Sequence, residues 1–292
     1  MNSVLIIGCG DIGLRLASLC VPTPVTGVVR SLQSASRLEA RQIEPKLLDL
    51  DVPFDADELA ASNSELYYLA PPPPHGDTDP RVKAVCGVLR GPNRPRKVVY
   101  ISTTAVYGDC GGRWIDETAP LQPGTARGRR RLDAERQWLS WGEAEGVPVV
   151  LLRVPGIYGA GRLPIDRLRK GLPVLAEQES PFTNRIHADD LAQACLLAML
   201  RGRAGEAYNV SDGHPTSMSD YFNRIADALG MARPPVVDRK TAERELSASM
   251  LSFLSESKRI CNAKMRNDLG VRLQYPDLDR GLAGLFQAGP FE

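Results

Sequence analysis

The amino-acid sequence predicts an α/β protein with a doubly wound parallel sheet and a smaller, mixed and helix-rich C-terminal lobe. Short β-rich segments alternate with segments of helical length through the first two-thirds of the 292 residues. That alternation is typical of parallel strands joined by right-handed crossover connections. In addition, a glycine-rich turn stands directly between the first predicted strand and the first predicted helix.

The predicted elements follow one another in a regular order. Strands are predicted at 3–8, 24–29, 45–50, 65–70, 97–102, 147–153 and 206–211. Their runs of apolar and β-branched residues are typical of strands buried on both faces. Helices are predicted at 11–20, 79–91, 130–146 and 188–201. The proline-rich segment 70–80 lies between a strand and a helix, and we therefore interpret it as a loop at the C-terminal end of the strand.

Composition and charge exclude several classes of function. The 36 basic and 35 acidic residues leave a net charge of +1, so no overall field would attract nucleic acid or an anionic membrane. The six cysteines form no C-x-x-C pair, which argues against a zinc site and a disulfide framework and favours a reducing compartment. No signal peptide or membrane-spanning segment is recognisable. We expect a cytoplasmic protein without a metal site, a nucleic-acid partner or a membrane partner.

The glycine-rich turn predicts a dinucleotide-binding site. The sequence "GCGDIG" places Gly8, Gly10 and Gly13 in G-x-G-x-x-G spacing, with Asp11 and Ile12 between them. The first glycine permits a tight turn, the second lets the backbone approach a pyrophosphate, and the third lets helix and strand pack closely. The N-terminus of the following helix adds free N–H groups and partial positive charge. This is the signature of a Rossmann domain.

The end of the second predicted strand indicates which dinucleotide is bound. An NAD site usually has a carboxylate there for the ribose 2′-hydroxyl, but this chain has Arg30 and Ser31, and no acid before Glu39. A guanidinium is suited to a 2′-phosphate, so NADP is favoured over NAD. Asp49, followed by Leu50, is a candidate partner for the adenine amino group, although Asp49 could equally be an ordinary surface aspartate.

Several segments resemble one known family over nearly the whole chain. After the glycine loop come "VVYISTTAVYGD", "VVLLRVPGIYGAGR", "NRIHADDLAQA" and "AYNVSDG", and then "SKRICNAKM". In order and spacing they resemble the extended short-chain dehydrogenase/reductase superfamily, the NAD(P)-dependent epimerase/dehydratase group. The resemblance implies that Thr103 orients the substrate or nicotinamide. Further cofactor contacts that it implies are Ala70, Pro71, Ser102, Pro155, Gly156 and Ile157.

The catalytic helix departs from the family pattern. The family carries a Tyr and a Lys in a Y-x-x-x-K motif, where the lysine lowers the pKa of the phenol and the tyrosine transfers a proton. Aligned with "YGRSKLAAE", the segment "RGRRRLDAE" places Arg127 at the tyrosine and Arg131 at the lysine. Arginine stays charged and cannot donate a proton as tyrosine does, whereas Arg131 could still hold ribose hydroxyls. The chain resembles atypical members that lack this tyrosine.

Three functions remain open at this point. The first is an NADP(H)-dependent oxidoreductase or epimerase for a small carbonyl, hydroxyl or nucleotide-sugar substrate, with Tyr107, Tyr158 or His187 as available groups. The second is a non-catalytic NADP(H)-binding sensor. The third, disfavoured by the charge balance, is nucleic-acid binding through the arginines at 127, 129, 130, 131 and 136. The pair Arg127 and Arg131, four residues apart, could instead bind a phosphate or carboxylate of a small ligand, or be solvated.

The resemblance also implies the organisation of the chain. We expect residues 1–156 and 186–213 to form the NAD(P)-binding Rossmann domain, and residues 157–185 and 214–292 to form the substrate-binding lobe. The substrate cleft would lie between them at the C-terminal ends of the strands. Arg185 is a candidate substrate contact because relatives that use nucleotide sugars tend to have a basic residue there. Relatives commonly pair two long helices into a homodimer, so a dimer is an expectation too.

Overall fold

The computed structural model of the chain describes residues 3–287, and its largest feature is a parallel sheet. The strands, in chain order, are β1 (Val4–Ile7), β2 (Val25–Val29), β3 (Glu44–Leu47), β4 (Glu65–Tyr68), β5 (Lys97–Thr103), β6 (Trp114–Ile115), β7 (Val149–Val154), β8 (Gly156–Tyr158), β9 (Val174–Leu175), β10 (Phe182–Thr183), β11 (Arg185–His187), β12 (Ala207–Asn209), β13 (Thr216–Ser217), β14 (Val236–Val237) and β15 (Arg259–Ile260). Seven of them form one sheet in the order β12-β7-β5-β4-β1-β2-β3. Every neighbouring pair in this sheet is parallel.

Helices cover both faces of the sheet. They are α1 (Asp11–Leu19), α2 (Leu32–Glu39), α3 (Ala56–Leu59), α4 (Pro80–Val88), α5 (Ala126–Glu145), α6 (Ile165–Arg169), α7 (Ala188–Arg201), α8 (Met218–Ala228), α9 (Arg239–Glu245), α10 (Ala248–Leu254) and α11 (Leu278–Gln287). Alternate residues of β1 point to opposite faces, so Val4 and Ile6 join the core under α1 and α7, whereas Leu5 and Ile7 join the core under α4 and α5. All four residues are buried, which explains the uninterrupted apolar sequence of this strand.

The remaining strands form pairs away from the large sheet. β8 pairs with β11, β9 with β14, and β6 with β15 in parallel, and β10 pairs with β13 in antiparallel orientation. Separate apolar clusters bring helices of the C-terminal part of the chain together with the segment that contains α6. The division of the chain into two lobes at residues 156, 186 and 213 stays a prediction.

The predicted fold class is confirmed. Helix α2 (Leu32–Glu39) was not predicted, and other differences lie at the ends of elements. Helix α5 begins at Ala126, one turn before the predicted start, because the hydroxyl of Thr125 accepts a hydrogen bond from the backbone N–H of Gly128. This N-cap satisfies a helix N–H that has no partner within the helix. It also places Arg127 in the first helical turn.

The strand order determines where a ligand site can form. The chain adds strands in one direction from β1 to β2 and β3, and in the other from β1 to β4 and β5. Ligands of doubly wound sheets bind beyond the C-terminal ends of the strands at this reversal. The segments that follow β1, β4, β5 and β7 begin with Gly8, Leu69, Thr104 and Pro155, so the residues predicted to bind a cofactor are brought to one edge.

Candidate cofactor and active site

The glycine loop after β1 has the geometry that an anionic group requires. Gly8 has a φ of +82°, and a Cβ there would lie 2.5 Å from the backbone nitrogen of Ala70, so a side chain is excluded. Gly13 packs against Cys9, whose Sγ would lie 2.9 Å from an added Cβ. Gly10, in contrast, faces open space, and no side chain caps the N-terminus of α1 there. Uncapped N–H groups beside open space fit a pyrophosphate.

Asp11 and Ile12, the other residues of this loop, have different surroundings. Ile12 is buried in the core against the sheet. The Asp11 carboxylate accepts hydrogen bonds from Arg15 at 3.0 Å and from Arg162 at 2.5 Å. Burial alone would raise the pKa of Asp11, but the two arginines outweigh it and lower that pKa. The negative charge of Asp11 is therefore balanced by two arginines, and one of them, Arg162, lies close to the start of α1.

A cavity of about 230 Å³ lies beside the glycine loop at the ends of β2 and β3. The predicted residues that line it are Gly8, Arg30, Asp49, Leu50, Ala70 and Pro71. The Arg30 side chain is 69% exposed, with a guanidinium nitrogen 3.9 Å from a carboxylate oxygen of Asp51. Ser31 caps α2 by accepting a hydrogen bond from the backbone of Ser34. Apart from Ser31, the residues assigned to the adenosine end of the cofactor thus lie around one cavity.

Arg81 also lines this cavity, and sequence reasoning did not find it. Its guanidinium donates to both carboxylate oxygens of Asp51 and to the carbonyl oxygen of Pro71. Arg81 lies in the first turn of α4, directly after the proline-rich loop, of which only Ala70 and Pro71 were predicted to contact the cofactor. No local sequence pattern links residues 51 and 81, because Asp51 follows β3 and Arg81 lies on α4 after β4, and β1 and β2 stand between these two strands in the sheet.

A second cavity, of about 360 Å³, lies at the ends of β5 and β7. It brings together Thr103, Arg127 and the segment Pro155–Ile157, all named from the sequence. Residues that the sequence did not single out for this place line it as well: Arg162, Asn184, Phe253, Glu256 and Lys258. Glu256 and Lys258 come from a part of the chain more than 100 residues beyond Thr103. Lys258 lies in the segment "SKRICNAKM", which carried part of the family resemblance without giving a role to either residue.

Thr103 and Arg127 are both presented to this cavity. The Thr103 hydroxyl accepts a hydrogen bond from the backbone N–H of Ala105 at 3.3 Å, and its proton has no acceptor within residues 3–247 and 250–285. The Arg127 guanidinium lies over the ring of Phe253, 3.8 Å from the ring centroid. Burial lowers the pKa of Arg127. A hydroxyl donor and a guanidinium in one cavity can bind an oxygen and an anionic group of the same ligand.

The other arginines of "RGRRRLDAE" have separate partners. Arg131 donates to the carbonyl oxygen of Ile101 at 2.8 Å and to the Tyr100 hydroxyl at 3.0 Å, and it lines neither cavity described above. Arg129 pairs with Asp77, and Arg130 donates to the carbonyl oxygen of Gly76. The arginines of this segment therefore contact different partners and do not form one basic surface.

Ser102 and Tyr107 belong to a buried polar network. The Ser102 hydroxyl donates to Glu135 at 2.5 Å, and Arg153 forms an ion pair with the same carboxylate at 2.9 Å. Arg153 also donates to the Tyr107 hydroxyl, which donates to Asn209 at 2.8 Å. Tyr107 is 1% exposed, and burial raises the pKa of Tyr107 to about 12. Its hydroxyl is thus held inside the molecule.

Tyr158, Arg185 and His187 lie on the paired strands β8 and β11, and all three are buried. None of them lines the cavity of Thr103. The His187 ring accepts a hydrogen bond from the Asp189 backbone and caps α7, and burial lowers its pKa. Arg185 donates to the hydroxyls of Thr183 and Thr216. The Tyr158 hydroxyl donates to the carbonyl oxygen of Asp277.

Asp212, close to Arg185, gives a pH-dependent prediction. One carboxylate oxygen accepts from the His214 backbone, the other is buried without a partner among residues 3–287, and burial raises the pKa of Asp212 to about 6. The folded state therefore binds a proton more tightly than the unfolded state, so this group lowers stability as the pH rises from about 4 to about 6. Urea unfolding gives the free energy of unfolding. Relative to the wild type, this free energy should rise by roughly 2 kcal/mol in Asp212→Asn between pH 4 and pH 7. Parallel pH curves for the two proteins would contradict this.

The family model described as "NAD dependent epimerase/dehydratase family" matches residues 83–211. A solved structure of a conserved protein of unknown function from Silicibacter pomeroyi DSS shares 33% identity, covers 99% of both chains and superposes with a TM-score of 0.85. The chain belongs to the NAD-dependent epimerase/dehydratase superfamily. Protein YeeZ of Escherichia coli K12 is 29% identical over 95% of this chain and 97% of its own length.

Other similar proteins are named for an activity. A dTDP-glucose 4,6-dehydratase assigned as probable in Sinorhizobium fredii is 29% identical over 47% of this chain and 42% of its own length. UDP-glucuronic acid 4-epimerase from Bacillus cereus, solved with NAD, is 17% identical, covers 98% of both chains and has a TM-score of 0.78. The latter likeness shows the shared fold. Within residues 3–287, no helix has the length and apolar character needed to cross a membrane.

Proposed function

We propose that this protein is an NADP(H)-dependent oxidoreductase or epimerase. Its substrate would be a small carbonyl or hydroxyl compound that carries an anionic group, of which a nucleotide sugar is one example. The observation that carries the proposal is the cavity in which Thr103 and Arg127 face Pro155–Ile157, at the same sheet edge as the glycine loop. The names of the related epimerase and dehydratase support a nucleotide-sugar substrate.

The residues present fit the cofactor. The open space at Gly10 and the uncapped start of α1 would receive the pyrophosphate, and the cavity lined by Asp49 and Ala70 would receive the adenosine. Arg30, with Ser31 beside it, would bind a 2′-phosphate. When bound, the nicotinamide supplies or accepts a hydride. Thr103 would orient the substrate oxygen through its free proton, and Arg127 would hold the anionic group.

The experiment is a cofactor titration followed by an activity assay. Binding of NADPH is measured by fluorescence, and NADPH oxidation is then followed with phenylglyoxylate and, as a matched uncharged probe, its methyl ester. With NADP⁺, dTDP-glucose and UDP-glucuronic acid are tested for conversion. We expect NADPH binding and a preference for the charged probes. Tight NADPH binding without turnover of any probe would favour the sensor function instead.

Cofactor preference gives a direct prediction for Arg30. We expect Arg30→Ala to weaken NADPH binding by about 10- to 100-fold, because one charge-assisted contact to a phosphate is lost. NADH binding should stay unchanged, because NADH has no 2′-phosphate. Arg41→Ala, an exposed arginine in the same part of the chain, is the control. Equal losses for both cofactors would contradict the NADP assignment.

We also propose two further properties that were expected from the sequence. One is a homodimer formed through long helices, which sedimentation analysis would test. The other is a cytoplasmic location.

A further inference from the structure

Reduction of a carbonyl needs a proton for the developing alkoxide as well as a hydride. At the position where the family resemblance implies a tyrosine, this chain has Arg127, whose guanidinium does not release a proton at ordinary pH. The Tyr107 hydroxyl is engaged with Asn209 and Arg153 inside the molecule. Another group in the cavity must therefore act if the protein is the enzyme proposed above.

Besides the two arginines, the ionisable side chains that line the cavity within residues 3–287 are Glu256 and Lys258. An ionised carboxylate only accepts hydrogen bonds and has no proton to give. A lysine ammonium group carries protons and acts as a general acid in enzymes, as a tyrosine hydroxyl does. An ammonium group is thus the chemical match for the missing tyrosine.

The contacts of Lys258 hold its ammonium group in place. The side chain is 6% exposed, and Nζ donates to the carbonyl oxygen of Gly108 at 2.5 Å and to the Glu256 carboxylate at 2.7 Å. An ammonium group has three protons, and the third has no acceptor within residues 3–247 and 250–285. Gly108 ends the short 3₁₀ turn that Thr103 begins. The lysine is therefore tied to the same turn that carries the substrate-orienting threonine.

We propose that Lys258 is the catalytic proton donor of this protein and that Glu256 is its positioning residue. The inference rests on the proposed function. In the reductive direction, the carbonyl carbon gains a hydride from NADPH, the carbon–oxygen π bond breaks, and the oxygen takes a proton from Lys258 Nζ. The products are an alcohol, NADP⁺ and a neutral amine, which regains a proton from solvent. In the oxidative direction, the neutral amine accepts the hydroxyl proton.

Two substitutions separate this role from a purely structural one. Lys258→Arg keeps a cation that can donate to Gly108 and Glu256 but does not release a proton, whereas Lys258→Met removes the charge. We expect both to lower kcat for phenylglyoxylate by about 100-fold or more, with NADPH affinity unchanged. Lys240→Met, an exposed lysine on α9, is the control and should retain wild-type kcat.

A binding measurement gives a second readout that does not depend on turnover. Calorimetry of oxamate with the enzyme–NADPH complex should show at least about 10-fold weaker binding in Lys258→Met, because a charge-assisted hydrogen bond to the ligand is lost. Lys258→Arg should bind oxamate within about threefold of the wild type, because the cation is retained.

The outcomes are distinguishable. If Lys258→Arg keeps more than a tenth of the wild-type kcat, or if Lys258→Met binds oxamate as the wild type does, the proposal is overturned and the lysine is structural. A wild type that binds NADPH but reduces no probe overturns this proposal together with the enzymatic function. A wild type that binds no NADPH instead overturns the cofactor assignment on which both depend.

Discussion

Gly10→Val is expected to weaken NADPH binding by about 100-fold, which corresponds to about 2.8 kcal/mol, and to leave the fold intact. A Cβ at Gly10 would meet no heavy atom within 4 Å, and the φ of −87° lies outside the left-handed region that favours glycine. The isopropyl group would instead fill the space before the first N–H groups of α1. Fluorescence titration with NADPH measures the loss, and thermal unfolding measures the stability.

The control for this prediction is another glycine with equally open surroundings. Gly87 on α4 also has nothing within 4 Å of an added Cβ, and Gly87→Val should leave NADPH affinity unchanged. Gly8 is unsuitable for this purpose because its side chain would collide with Ala70 and disturb the turn itself. Wild-type NADPH affinity in Gly10→Val would mean that the pyrophosphate does not bind at this turn.

Arg153→Leu is expected to destabilise the protein by about 3–5 kcal/mol. Arg153 and Glu135 are 7% and 2% exposed in their side chains and form an ion pair at 2.9 Å. Removing the guanidinium leaves the Glu135 carboxylate buried and uncompensated, which is the costly way to break such a pair. The Tyr107 hydroxyl also loses a donor. Urea unfolding followed by circular dichroism gives the free energy of unfolding.

Two comparisons show whether burial is the cause. The double variant Glu135→Gln/Arg153→Leu should be less destabilised than the sum of its single variants, because the uncompensated charge is gone. Arg129→Leu breaks the exposed pair with Asp77, at side-chain exposures of 45% and 59%, and should cost less than about 1 kcal/mol. A loss in Arg153→Leu no larger than that in Arg129→Leu would contradict the assigned role of the buried pair.

The sequence was sufficient for features that depend on local pattern. The alternation of strands and helices predicted the parallel sheet, because the connection between parallel strands needs a segment of helical length. The spacing of Gly8, Gly10 and Gly13 predicted a tight turn before α1, in which Gly8 and Gly13 are restricted by the residues packed against them and Gly10 faces open space. The residues that the structure collects around the cavity beside this turn, among them Arg30 and Asp49, follow strand ends that could be recognised individually.

Tertiary structure alone decided which polar side chains face the second cavity. Tyr107 is only four residues from Thr103, yet its hydroxyl is engaged in a buried network with Arg153 and Asn209. Lys258 is more than 100 residues from Thr103 in sequence, yet its ammonium group donates a hydrogen bond to the carbonyl oxygen of Gly108, which ends the turn after Thr103. Such contacts depend on how helices and loops pack across the sheet, and no periodic pattern in the sequence predicts them. The sequence by itself determined the sheet and the glycine loop, whereas packing determined which polar groups meet at the second cavity.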